Sequence, residues 1–89
     1  MTSRRLDWTE GALADLAAIA EYSPVAALRA VESIEAMAAH GFNYGREVED
    51  EPGQWYWPER PLGIYYDDDG RTLTVQRVVD VRRRLSPTP

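Results

Sequence analysis

The residues best equipped for chemistry are the arginines. The chain carries ten basic residues, all of them arginine, and Arg71, Arg77, Arg82, Arg83 and Arg84 fall in its last fifth. A guanidinium presents its donors in a rigid fork that matches carboxylate or phosphate. Arg77 stands between Val75 and Val79 on an apolar strand face, where a charge needs a partner or an exit to water. It either pairs with an acid such as Glu10 or Asp15, or serves a target-binding surface. Arg82 and Arg83 follow as a solvated basic end or as part of that surface. An arginine-only set also arises from the codon preference of a GC-rich genome.

Aromatic residues form the second signal. In a strand, Trp55 and Trp57 share a face and Tyr56 takes the other. One face is then core and the other partly covered; alternatively the trio is a binding surface, since tryptophan, tyrosine and arginine are enriched at interaction hot spots. Tyr65 and Tyr66 point to opposite faces, one into the core and one outward, and Tyr66 is placed with the target-binding arginines. His40 reads as a cation at a helix C-terminus. Asp67-Asp68-Asp69-Gly70 lacks the alternating acids and closing glutamate of a calcium loop and reads as a turn. With no cysteine, thiolate metal sites and cysteine nucleophiles are excluded. No serine-centred triad, phosphate loop or metal cluster stands out, so neither a catalytic set nor a cofactor is assigned.

The net charge of −5 disfavours broad electrostatic binding to nucleic acid. The sum conceals a basic C-terminal end on a body whose acids cluster at Glu47, Glu49, Asp50 and Glu51. At 89 residues the chain reads as one domain over residues 1–85, with a disordered tail at 86–89. A core this small is marginal, and a bound partner would stabilise it by mass action. There is no membrane-length apolar run and no signal-like N-terminus, so a cytoplasmic location is expected.

The elements that position these residues follow from periodicity. Residues 3–8 alternate, with Arg4, Leu6 and Trp8 on one strand face. Thr9 reads as an N-cap of a helix ending near Tyr22, with Leu13, Leu16, Ile19 and Ala20 as its apolar stripe. Ser23-Pro24 restarts the chain as a second helix to His40, striped by Ala27, Val31, Ile34 and Ala38, widened by Leu28 and Met37 and stopped at Gly41. A loop to Pro52-Gly53 precedes strands over residues 55–57, 62–66 and 72–81, with the Asp-Gly turn before the last. In that last strand Leu73, Val75, Val79 and Val81 take one face, leaving Val78 as the apolar exception on the other. The order β-α-α-β-β-β is an α+β domain: an N-terminal strand and a helical hairpin packed on a small, antiparallel-rich twisted sheet.

This order in about ninety residues resembles the ParE/RelE toxin superfamily, closer to ParE. Three stretches carry the likeness: Trp8 through Leu16; Ser23 through Arg29 with Ile34-Glu35; and Pro61 through Tyr66, Asp69-Gly70 and Val75 through Arg83. The resemblance implies a toxin neutralised by an antitoxin encoded nearby, which docks near the helical hairpin and sheet; Leu16, Leu28, Trp55, Tyr56 and Trp57 are the expected partner-binding residues. It leaves two targets: DNA gyrase, inhibited by binding, or messenger RNA cut on the ribosome. The absence of lysine and the position of His40 lean toward gyrase, with Arg77, Arg82, Arg83 and Tyr66 as target contacts. A member of the same fold without toxicity is the third possibility.

Overall fold

The computed structural model describes residues 3–84, with side chains through residue 82. The expected tail at 86–89 lies outside these residues. In chain order the elements are β1 (Arg5–Trp8), α1 (Glu10–Tyr22), α2 (Pro24–His40), β2 (Arg46–Glu47), β3 (Gln54–Glu59), β4 (Leu62–Asp68), β5 (Thr72–Asp80) and α3 (Val81–Arg84). The α+β class and the strand, helix, helix, strands order are as expected. Two short elements, β2 and α3, are additions. The arginines after β5 begin a helical turn and do not prolong the strand.

Local signals explain the helix ends. The Thr9 side chain accepts the Ala12 N–H at 3.0 Å, satisfying one of the orphan donors at the start of α1. Proline at the first position of α2 keeps the two helices separate. Gly41 ends α2 at φ 69°, a left-handed geometry that costs glycine little.

The five strands lie in the order β1-β5-β4-β3-β2; β1 runs parallel to β5 and every other pair is antiparallel. Both helices cover one face. The core there is Ala12, Ile19, Ala26, Ala27, Ala30, Ile34, Met37 and Ala38 against Leu62, Ile64, Tyr66, Leu73, Val75 and Val78. Small residues on the helices let their backbones approach the sheet, and Ile34 and Met37 fill the space between.

One irregularity corrects the expected faces of β5. Tyr66 pairs with Val75, yet Tyr65 pairs with Arg77, so Gln76 is an extra residue on β5. This bulge reverses the alternation. Before it Leu73 and Val75 face the core; after it Val78 and Asp80 do. Val78, the apparent exception, is therefore a core residue, while Val79 and Arg77 turn to the opposite face.

The helical stripes also need correction. In α1 the inward line is Ala12, Leu16 and Ile19; Leu13 is half exposed and Ala20 exposed. In α2 it is Ala26, Ala30, Ile34 and Met37 flanked by Ala27 and Ala38, and Leu28 stands out at 58% exposure. Leu16, Ile19, Ala27, Ile34, Met37 and Ala38 are inward as expected, while Leu13, Ala20 and Leu28 are not, because alanines do the packing where helix and sheet come close.

Candidate functional site

The helix-free face of the sheet collects several of the polar and aromatic residues singled out above. Cross-strand register places Tyr56, Tyr65 and Arg77 in one row on that face, flanked by Arg46 opposite Tyr56. The Tyr56 and Tyr65 rings lie 4.9 Å apart, and the Arg46 guanidinium sits 5.9 Å from the Tyr56 ring centroid. Gly63 makes room for this arrangement, since a Cβ there would lie 2.6 Å from Tyr56 Cε1. Gln76 at the bulge donates to Asp67 at 2.7 Å.

Arg77 meets the acid the sequence offered. Its Nε and Nη2 donate to Asp15 at 2.7 and 3.2 Å. The same carboxylate accepts the Val78 N–H at 3.0 Å, so Asp15 of α1 caps the edge of β5 beyond the reach of β1. Thr9 completes this seam: its N–H donates to the Val75 carbonyl and its hydroxyl to the Gln76 carbonyl. The Asp15 carboxylate raises the Arg77 pKa further. The Arg77 side chain remains 61% exposed. The pair thus orients the guanidinium while leaving part of its fork toward solvent.

Arg82 is held in a comparable way by Asp80. The Asp80 carboxylate faces the helix side and is 3% exposed. It accepts from the Tyr22 hydroxyl at 2.9 Å, the Arg82 N–H at 3.0 Å, and Arg82 Nε and Nη2 at 3.2 and 3.0 Å. The Arg82 guanidinium outweighs the cost of burial and, with Tyr22 and the backbone N–H, holds this carboxyl well below the usual range. Arg83 belongs to α3, but its side chain lies outside those described.

Tyr66 does not take the expected role. It has no exposed surface, so it is the core member of the Tyr65-Tyr66 pair and cannot be a target contact. Its hydroxyl donates to Asn43 Oδ1, which also accepts the Gly45 N–H at 2.9 Å. Asn43 Nδ2 and Arg4 Nε each donate to Asp68 at 2.8 Å, joining the residue that leads into β1, the segment after α2 and β4. Burial pushes the Tyr66 pKa up to about 12. Burial also pushes the Asp68 carboxyl up, but hydrogen bonds from Gly70, Arg4 and Asn43 together bring it below the ordinary value. The aspartate run is therefore more than a turn: Asp68 anchors the N-terminal strand.

The expected partner-binding residues divide. Trp55, Trp57 and Leu16 are half-buried against the core, and the Trp57 indole donates to Ser33 at 2.9 Å. Tyr56 lies on the open face. Leu28 is exposed on the hairpin, as are Leu13 at 51% and Val25 at 62%.

Sequence reasoning missed Arg46 and Arg60. Arg46 fell in a segment read as loop, and Arg60 follows a strand without any spacing that marks a role. Both line a cleft of about 540 Å³ with Tyr44, Tyr56, Trp57 and Val81 at the edge of the sheet. Among the described residues no group of acids and histidine is arranged to hold a metal, and no helix is long and apolar enough to cross a membrane.

No protein-family model matches the chain, and no curated protein matches its sequence. Solved structures match its fold. A chain from a chromosomal ParDE TA system of P. aeruginosa is 23% identical, with a TM-score of 0.68 over 86% of this chain and 95% of that one. A chain from the RelBE2 toxin-antitoxin complex of Mycobacterium tuberculosis is 20% identical, with a TM-score of 0.72 over 90% of this chain and 93% of that one. The fold expected from the resemblance is the fold found.

Proposed function

We propose that this chain is the toxin of a toxin–antitoxin pair, neutralised by a bound antitoxin, and that it inhibits DNA gyrase by binding without catalysis. The observation that carries the toxin reading is the fold, shared over nearly the whole chain with members of two toxin–antitoxin assemblies. The exposed apolar residues Leu13, Val25 and Leu28 on the hairpin give an antitoxin surface to cover.

The gyrase reading rests on the arginines. Arg77 and Arg82 are each oriented by an acid yet more than half exposed, which suits recognition of a partner protein with little ordering cost. The net charge of −5 opposes docking on ribosomal RNA. Purified gyrase should lose supercoiling activity in the presence of the chain and regain it when Arg77, Arg82 and Arg83 are all alanine. Unchanged supercoiling by the folded parent protein refutes the target.

One observation favours a second reading, a ribosome-dependent messenger RNA endoribonuclease. Tyr56 and Tyr65, flanked by Arg46 and Arg77, place stacking surfaces and cations on one open face. Mapping of messenger RNA ends after induction separates the two. Normal growth on expression without any partner would leave a non-toxic interaction module.

A further inference from the structure

We infer that the cleft between Arg46 and Arg60 is a docking site for a partner peptide that carries a carboxylate beside a large apolar side chain. The inference rests on the toxin–antitoxin reading and names the antitoxin's chemistry at one place. Three observations carry it.

The first is charge. Among the described residues, the ion pairs join Arg4, Arg77 and Arg82 to Asp68, Asp15 and Asp80, while Arg46 and Arg60 have no carboxylate within 4 Å and no acid lines the cleft they share. Arg46 is held over the Tyr56 ring and exposed; Arg60, at the end of β3, is exposed as well. Two cations on one cleft without an acid of their own are complementary to an acid from outside.

The second is the lining between them. Tyr44, Tyr56, Trp57 and Val81 form an apolar floor, and Tyr44 is 51% exposed with its ring 6.3 Å from that of Trp57. The space of about 540 Å³ suits one or two large side chains.

The third is position. β2 pairs only with Trp55 and Tyr56, so the cleft opens where β3 loses its outer neighbour. A peptide is favoured over a nucleic acid because Glu47 and Glu49 line the adjoining cleft on the other side of Arg46 and Tyr56. A chain of phosphates would meet that negative wall, whereas a single carboxylate reaches the two arginines without touching it.

The test uses the full chain and the product of the neighbouring small gene, both whole and as overlapping fluorescent twelve-residue peptides. Binding is read by anisotropy for the parent, Arg46→Ala/Arg60→Ala, Arg46→Lys/Arg60→Lys and the control Arg71→Ala. The expected result is that a peptide with an acid beside a large apolar residue binds the parent and Arg71→Ala equally. The double alanine variant should weaken it at least tenfold, and the double lysine variant should lie between. Circular dichroism melts at the parent temperature exclude misfolding; if the double alanine variant is unfolded, Arg60→Gln alone is read. If the whole partner binds the parent but every peptide binds the variants equally well, the cleft assignment is overturned and the toxin–antitoxin reading stands. If the whole partner does not bind the parent, that broader reading falls first. Displacement of the bound peptide by a single-stranded oligoribonucleotide at comparable concentration overturns the choice of a peptide.

Discussion

Asp80→Asn tests how the sheet holds its C-terminal end. The buried carboxylate takes hydrogen bonds from Tyr22, from the Arg82 backbone and from two nitrogens of the Arg82 side chain. An amide keeps the shape but turns an N–H₂ toward donors and removes the charge. Hydrogen bonds to a charged group contribute about 1.5–3 kcal/mol each. That cost is not paid in full, because the guanidinium is 63% exposed and returns to water. A net loss of about 2 kcal/mol is expected for Asp80→Asn, and about 1 kcal/mol for Tyr22→Phe. In a domain of this size the larger loss lowers the melting midpoint by roughly 8–16 °C.

The pH dependence adds a second reading. Asp80 has a depressed pKa when folded, so the unfolded chain takes up the proton first. Its stabilisation is complete above the unfolded carboxylate pKa of about 3.9 and is lost as pH falls from there through the folded value. Thermal and urea melts followed by circular dichroism should therefore show a parent–variant gap at pH 7 that narrows below pH of about 4. A variant melting within about 2 °C of the parent at pH 7 would refute the reasoning, since it would mean that water replaces the buried hydrogen bonds without loss.

Tyr66 is raised to about 12, so its contribution is present below the unfolded value of about 10 and lost as pH rises through the folded one; alkaline melts of Tyr66→Phe should lack that part of the decline. Deleting Gln76 removes the bulge and leaves a regular ladder in which Val78 and Asp80 still face the core, so the variant should stay folded, and loss of a well-dispersed NMR spectrum would contradict the register. Gly45→Ala places a Cβ 2.8 Å from the Tyr56 carbonyl oxygen and should cost about 1–3 kcal/mol by urea denaturation, against about 1 kcal/mol for Gly53→Asn, where the space is open and only the backbone φ of 86° is strained. Ile34→Ala, at a fully buried site, should cost about 2–5 kcal/mol in the same assay.

Much of the architecture was legible without coordinates because its signals are local. Thr9 marks a helix start through its capping hydroxyl, and Pro24 and Gly41 mark helix ends through their backbone preferences, while the Ser23 side chain makes no cap hydrogen bond. The alternation of Trp55, Tyr56 and Trp57 assigns the strand faces, and Asp15 was one of two acids named for Arg77. What the chain alone did not decide depends on contacts distant in sequence. Tyr65 and Tyr66 are neighbours of the same type, and only packing against the helices makes Tyr66 the buried one. The bulge at Gln76 exists because β5 must pair with β1 on one side, β4 on the other and accept Asp15 at its edge; the lone Val78 was its trace, ambiguous until the partners were in place. Arg46 and Arg60 share a cleft only because β2 folds back on β3, a juxtaposition that no local spacing encodes. Sequence determined the elements, since their signals act within a few residues; tertiary structure decided which side chains are core and which arginines keep a free fork, since burial and ion pairing are properties of the assembled layers.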